Sequence, residues 1–236
     1  MPAQYLKYKV KSLVGEADGI YTLNLEPVDG EVPKYEAGQF FMLKNTNLAA
    51  DIKPKIKPYS ALHPWRAGEL SFGVKVHAQF STALCSLKEG QEIECSGPYG
   101  FFTYANGDCP AVFIAGGIGI TPLLTMIENL AAPSHAGKYY LIYSNRGEKD
   151  VAYRGLLDRL ASENLNFKLV YAMTGEGECG FECQRRRISI DMLKEQVLEF
   201  DSAHFYMCAS AGFLEAMEKA LIDAGVSKER VHVEKW

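Results

Sequence analysis

Ala115-Gly116-Gly117-Ile118-Gly119-Ile120-Thr121-Pro122 separates an apolar run at 111–115 from a helical pattern over 121–130. Glycines at such a place let the backbone approach a pyrophosphate, and the helix that follows offers free N–H groups and the positive end of its dipole. Pro122 falls in the first helical turn, where a missing N–H loses no hydrogen bond. A plain tight turn also uses glycines. The position of this one, between a strand and a helix, favours a dinucleotide site, although its spacing differs from the GxGxxG fingerprint.

The residues beyond it repeat the alternation. Apolar strands are predicted at 138–143, 167–172, 204–208 and 231–234, with helices at 151–161, 190–198 and 213–224. Continuous apolar strands with helical crossovers imply a parallel sheet covered on both faces, with its ligand at the carboxyl ends of the strands. Before the turn the pattern is different. Alternation with a period of two predicts strands at 5–10, 21–25, 39–44, 57–62, 69–76 and 91–96, and six such strands suggest a small closed antiparallel barrel. One serine-capped helix is expected at 81–87, ending before Gly90. The polar turn Ala105-Asn106-Gly107-Asp108 marks the change, giving a barrel domain at 1–106 and an α/β domain at 107–236.

With 236 residues, 47% hydrophobic and 23% charged, the composition is that of a globular chain of two modest domains. No apolar run reaches the length of a membrane span, and the first residues lack a secretory signal, so a soluble protein at a cytoplasmic address is expected. The net charge of −4 is small and of the wrong sign for nucleic acid. The acidic excess lies in the second half, with 14 basic and 18 acidic residues after residue 106 against 11 and 11 before it. Lys44, Lys53, Lys55 and Lys57 form either a solvated loop or a docking patch for an acidic partner. Six cysteines without a CxxC pair argue against a resident zinc or iron–sulfur centre, so no metal site is expected on this chain. Cys179 and Cys183 are either a redox pair or ordinary loop residues.

Six stretches then carry a resemblance, in order along the chain: Tyr35-Glu36-Ala37-Gly38-Gln39-Phe40; Lys57-Pro58-Tyr59-Ser60; Gly73-Val74-Lys75-Val76 with Phe80-Ser81-Thr82; Gly97-Pro98-Tyr99-Gly100-Phe101-Phe102; the glycine turn; and Val233-Glu234-Lys235-Trp236. They resemble the GQF strand, the Arg-x-Tyr-Ser flavin motif, the segment that wraps the flavin phosphates, the GPxGxF turn, the GGxGxTP turn and the C-terminal Glu-x-aromatic of the ferredoxin-NADP reductase superfamily. The likeness extends over essentially the whole length. It implies an N-terminal flavin barrel and a C-terminal nicotinamide-binding domain, with FAD preferred over FMN.

By this resemblance Tyr59 stacks on the flavin and Ser60 hydrogen-bonds near the atom that exchanges hydride. Without the neighbouring motifs the pair would equally be a barrel-filling tyrosine and an exposed serine. Lys57 replaces the family arginine, so a bidentate fork on phosphate becomes a point charge. Lys57, Pro58, Gly73, Val74 and Lys75 are expected around the flavin. Ser81 and Thr82 open a helix whose N–H groups suit its phosphates, or simply cap that helix. Gly116, Gly117, Gly119, Thr121 and Pro122 are assigned to the dinucleotide. Cys208 is set beside the nicotinamide, although Ala209-Ser210 stands where the family has Gly-Pro, and Glu234 is set within reach of Ser60. Trp236 is read as an aromatic lid. Arg146, with Arg185 and Arg187, suits a 2′-phosphate, favouring NADP over NAD. The implied reaction passes hydride between nicotinamide and flavin and single electrons to an acidic iron–sulfur protein or flavodoxin. An NAD(P)H:flavin or ferric reductase, a flavin subunit of a larger redox complex and a non-catalytic nucleotide-binding module are the alternatives.

Overall fold

The computed structural model describes residues 4–45, 55–104, 107–131 and 135–235. Lys53, the junction at 105–106 and Trp236 fall outside them. Six antiparallel strands form the first sheet: β1 Leu6–Ala17, β2 Ile20–Pro27, β3 Phe40–Lys44, β4 Ile56–Ser60, β5 Leu70–Lys75 and β6 Glu92–Tyr99, in the order β4-β3-β6-β1-β2-β5. The sheet curls until its edges meet. Ala61 bridges Phe72, and the Leu62 N–H bonds the Ser71 carbonyl at 2.9 Å. Val10, Leu23, Leu25, Phe41, Leu43, Phe72 and Ile93 fill the interior, as the alternating pattern predicts.

The second sheet has β7 Ala111–Gly116, β8 Tyr139–Asn145, β9 Phe167–Met173, β10 His204–Cys208 and β11 Val231–Glu234, all parallel, in the order β11-β10-β7-β8-β9. Helices α2 Ile120–Leu130 and α3 Arg154–Glu163 pack on one face, and α4 Ile190–Gln196 and α5 Ala211–Asp223 on the other. β7, β8 and β9 run outward in one direction, and then β10 returns to the far side of β7. The strand order therefore reverses between β7 and β10, the crevice where open α/β sheets take ligands. Ile20, Ala37, Leu62 and Phe102 join the core between α2, α3 and this sheet, so the barrel packs on the same face as the helix that follows the glycine turn.

Three boundaries differ from the sequence expectation for physical reasons. α1 spans Gln79–Leu84 with Ala78 as its N-cap, so Ser81 and Thr82 sit inside the first turn rather than before it. The Ser81 Oγ accepts from the His77 and Ala78 N–H groups, each at 3.1 Å, which moves the cap upstream. α3 begins three residues late because Tyr153 takes a left-handed conformation, φ 60° and ψ 20°. α5 begins two residues early, at Ala211, directly after Ser210.

Candidate functional site

At the reversal point between β7 and β10 the glycine turn is tightly constrained. Gly117 has φ 53°, a left-handed conformation that favours glycine. A Cβ on Gly119 would lie 2.1 Å from the Cys208 carbonyl oxygen, and one on Gly116 would lie 2.8 Å from Ala209 Cβ. The turn thus presses against the end of β10, and only glycine allows the approach. Gly117–Gly119 forms one 3-10 turn and α2 follows, with the Thr121 hydroxyl donating to the Ile118 carbonyl at 2.8 Å. Pro122 lies in the first turn of α2, where no intrahelical donor is needed.

A cavity of about 420 Å³ opens over this turn, lined by Gly116, Gly117, Asn145, Arg146 and Ser210, with Lys75 reaching in from the end of β5. Asn145 is buried beside Tyr143, and neither polar atom of its amide makes a well-aligned hydrogen bond among the described residues. Buried amides without well-aligned partners are costly, so this one is an available donor and acceptor at the cavity's edge. An asparagine ending a strand carries no motif, so nothing in the sequence marks it. Arg146 extends into an adjoining cavity of about 900 Å³, where it meets Arg187, Ser210 and Phe213. A third, of about 430 Å³, joins Arg146 with Arg185, Glu148 and Cys179. The arginine trio is therefore divided: Arg185 and Arg187 each share a cavity with Arg146, while Arg186 pairs with Glu195. Burial, with Cys179 alongside, pushes the Cys183 thiol pKa up. Both cysteines pack with Phe181 at the edge of the α2–α3 core.

On the barrel side, β4 is an edge strand. The Ala61 N–H bonds the Gln39 carbonyl at 2.9 Å and the Asn45 N–H bonds the Lys55 carbonyl at 3.2 Å, so alternation turns the main-chain groups of Ile56, Pro58 and Ser60 away from β3. Pro58 suits that open edge because it has no N–H to leave unpaired. The ladder with β3 has no bulge, and Tyr59 and Ser60 therefore occupy opposite faces of β4. The Tyr59 ring stacks on Phe80 at 6.2 Å, and burial raises its phenol pKa. The Ser60 Oγ is sealed from solvent and has no hydrogen-bond partner among the described residues. Lys57 is partly exposed on the same strand.

The two sides are joined at this point. Ala61, the residue after Ser60, accepts a hydrogen bond from the Thr125 hydroxyl of α2 at 2.5 Å, in a fully buried setting. Cys208 ends β10 in the core beneath the glycine turn, and Glu234 lies beside it across the β10–β11 ladder. Burial raises the pKa of the half-buried Glu234 carboxyl. Val74 points into the barrel core. Gly73 faces the other way: a Cβ there would meet Tyr153 Oη at 2.6 Å and Thr121 Oγ1 at 2.8 Å. Ser81 and Thr82 spend their hydroxyls on the Ala78 carbonyl, at 2.9 and 3.0 Å, while Thr82 also lines an open hollow with His77 and Gln79. The outward main-chain groups of β4 on an open strand edge, with the unpartnered Ser60 hydroxyl buried behind them, suit a flat ring with polar edges, and the glycine cradle with its free helix N–H groups suits a pyrophosphate.

Among the described residues no helix is long and apolar enough to cross a membrane, and no three His, Cys, Asp or Glu side chains are grouped to hold a metal ion. Two family models match the chain, the oxidoreductase FAD-binding domain over residues 6–104 and the oxidoreductase NAD-binding domain over residues 113–219. The chain is 28% identical over 227 residues to an NADH-cytochrome b5 reductase 2 of Mycosarcoma maydis, covering 91% of this chain and 64% of that one. It is 26% identical over 239 residues to a flavohemoprotein of Bordetella pertussis, covering 96% and 59%. It thus spans about three-fifths of the length of these relatives. Its fold matches the flavohem-like FAD/NAD-binding domain of nitric oxide dioxygenase from Vibrio cholerae with a TM-score of 0.86 and 24% identity, over 98% of each chain. An FAD-type barrel seated against a parallel-sheet nicotinamide domain, joined where the strand order reverses, places this chain in the ferredoxin-NADP reductase superfamily of flavoprotein oxidoreductases.

Proposed function

We propose that this chain takes hydride from NADPH onto FAD and delivers single electrons to an acceptor carried by another protein or domain. The observation that carries this reading is the joint between the two sheets. The unpartnered Ser60 hydroxyl is followed at once by Ala61, bonded to α2, and α2 opens on the glycine turn seated against Cys208. Bound flavin supplies the redox chemistry, accepting two electrons as hydride and releasing them one at a time.

The residues of the chain position, exclude water and hold protons. Ser60 is assigned as donor to a polar edge of the flavin, Tyr59 and Lys57 to its surround, and the backbone of 73–75 with α1 to its phosphate side. Cys208 keeps the meeting point apolar and dry, which strengthens every nearby dipole. Glu234, whose carboxyl holds its proton more tightly than usual, stands beside Cys208 as a proton-holding group. Arg146 and Arg187 share one cavity, and that pairing favours the extra phosphate of NADP over NAD. The domains divide at 105–106 in this reading.

For the acceptor, the family resemblance points to an iron–sulfur protein or flavodoxin, and Lys55 and Lys57 on the open edge of the barrel suit an acidic partner. A haem protein is the second reading, favoured by the names of the relatives, a cytochrome b5 reductase and a flavohemoprotein. Anaerobic NADPH oxidation with ferredoxin, flavodoxin, cytochrome b5, free flavin and a ferric chelate tests both. Turnover with a protein carrier far above that with free flavin supports the proposal. Turnover confined to free flavin or ferric chelate overturns it.

A further inference from the structure

Tyr153 is the only non-glycine residue with a positive φ among the described residues. It occupies the N-cap of α3, a place where an extended serine, threonine or aspartate is usual, and its side chain makes no cap bond. The left-handed backbone is unfavourable for a bulky residue and persists only where the surroundings enforce it. Local helix formation does not explain the choice. The destination of the side chain does.

The phenol is buried between the barrel and the α/β domain. Its oxygen occupies the space that a side chain on Gly73 would need, and Thr121 Oγ1 borders the same space. Gly73 has no positive φ, so its missing side chain serves this close approach and not a turn. The hydroxyl lies near Thr22 and Glu16 of the barrel but forms no well-aligned hydrogen bond, so it acts by its bulk. Around this contact the seam is also tied by the Asp18 N–H to the Lys149 carbonyl at 2.9 Å, by Thr125 to Ala61 at 2.5 Å and by His63 Nδ1 with Glu128 Oε2 at 2.7 Å. Thr121 opens α2 after the glycine turn, and two residues beyond Gly73 is Lys75, which lines the cavity over that turn.

We propose that Tyr153 is a positioning residue for hydride transfer: its phenol, wedged between Gly73 and Thr121, sets the separation of the flavin barrel from the coenzyme turn. This rests on the functional reading above. The strained backbone is held in place because relaxing it withdraws the wedge from Gly73. Reaction rates across such a joint depend more steeply on placement than the binding of either cofactor does.

The test compares Tyr153→Gly, which relieves the backbone and removes the whole side chain, with Tyr153→Phe, which keeps the ring and removes only the oxygen that meets Gly73, and Gly73→Ala, which forces the seam apart. Each holoenzyme is measured for bound FAD, for the dissociation constant of NADP+, and for the limiting rate of flavin reduction by NADPH in anaerobic stopped flow. Tyr153→Gly is expected to keep FAD and NADP+ binding while the limiting rate falls by about 10- to 100-fold, and Gly73→Ala is expected to lower the rate per bound flavin in the same range. Tyr153→Phe, which keeps the ring, is expected to lie between the parent and Tyr153→Gly. The proposal is overturned if either of the first two variants reduces flavin at the parent rate, if the rate loss follows lost flavin or lost NADP+ affinity, or if Tyr153→Phe is as slow as Tyr153→Gly. Should Tyr153→Gly not fold, Gly73→Ala and Tyr153→Phe decide the matter. Failure of the parent protein to be reduced by NADPH or NADH would instead remove the functional reading itself.

Discussion

Replacing Thr125 by valine removes one hydrogen bond from the joint while preserving the shape of the side chain. In the parent the hydroxyl donates to the Ala61 carbonyl at 2.5 Å, and neither residue is exposed to solvent, so water cannot take the vacated place. The nearest other acceptor, the Thr121 carbonyl, is 3.4 Å away and belongs to the same helix. A buried carbonyl left without its donor destabilises by about 1–3 kcal/mol, and the valine methyl adds no compensating space. For a chain of this size each kcal/mol corresponds to about 2–4 °C in Tm. Thermal and urea unfolding of the apo and FAD-loaded protein would measure the loss, with Thr125→Ser as the control that keeps the hydroxyl. Because Ala61 follows Ser60, the valine variant is also expected to slow flavin reduction. A Thr125→Val protein as stable as the parent, or no more affected than Thr125→Ser, would refute the claim that this bond anchors the barrel to α2.

Arg146→Ala is expected to raise the KM for NADPH by roughly 10- to 150-fold, the loss of a charge-assisted contact of about 1.5–3 kcal/mol, with little change for NADH. Equal effects on both coenzymes would mean that Arg146 does not read the phosphate. Gly119→Ala places a Cβ 2.1 Å from the Cys208 carbonyl, so it is expected to abolish coenzyme-dependent flavin reduction while the barrel still binds FAD; a reducible variant would contradict the close packing described above. Burial raises the folded-state pKa of Glu234 above its unfolded value. The stability this group contributes is therefore full below the unfolded pKa and lost as pH rises through the folded pKa. Glu234→Gln is accordingly expected to raise Tm at pH 7, with the gain vanishing near pH 4, and to slow flavin reduction; a Tm difference that does not change with pH would contradict the burial argument.

The periodicities carried most of the fold. β10 and β11 have the predicted bounds, and each of the other predicted strands appears within a few residues of its expected place, β1 excepted, which runs on to Ala17. Continuous apolar strands can only be buried on both faces, so the parallel sheet was legible before any contact was known. The α1 cap moved for a local reason, whereas other features arise from contacts between distant residues. Tyr153 delays α3 because a contact with Gly73, eighty residues earlier, outweighs local preference, and Thr125 reaches Ala61 across 64 positions. Neither pairing leaves a mark in local pattern. The arginine trio was legible as a charge cluster, but not its division, which depends on Glu195 lying close enough to claim Arg186. Asn145 leaves no mark because its significance is the absence of well-aligned partners, a property of packing alone.

The central claim is that one flavin is held at the joint between the barrel and the nicotinamide domain and is reduced there by the coenzyme. Its most direct test is the absorption spectrum of the purified protein, followed by anaerobic titration with NADPH and then with NADH. The account predicts a yellow protein with one FAD per chain, bleached stoichiometrically and at lower concentration by NADPH than by NADH. A colourless protein that FAD does not reconstitute, or a bound flavin that neither coenzyme reduces, would contradict it.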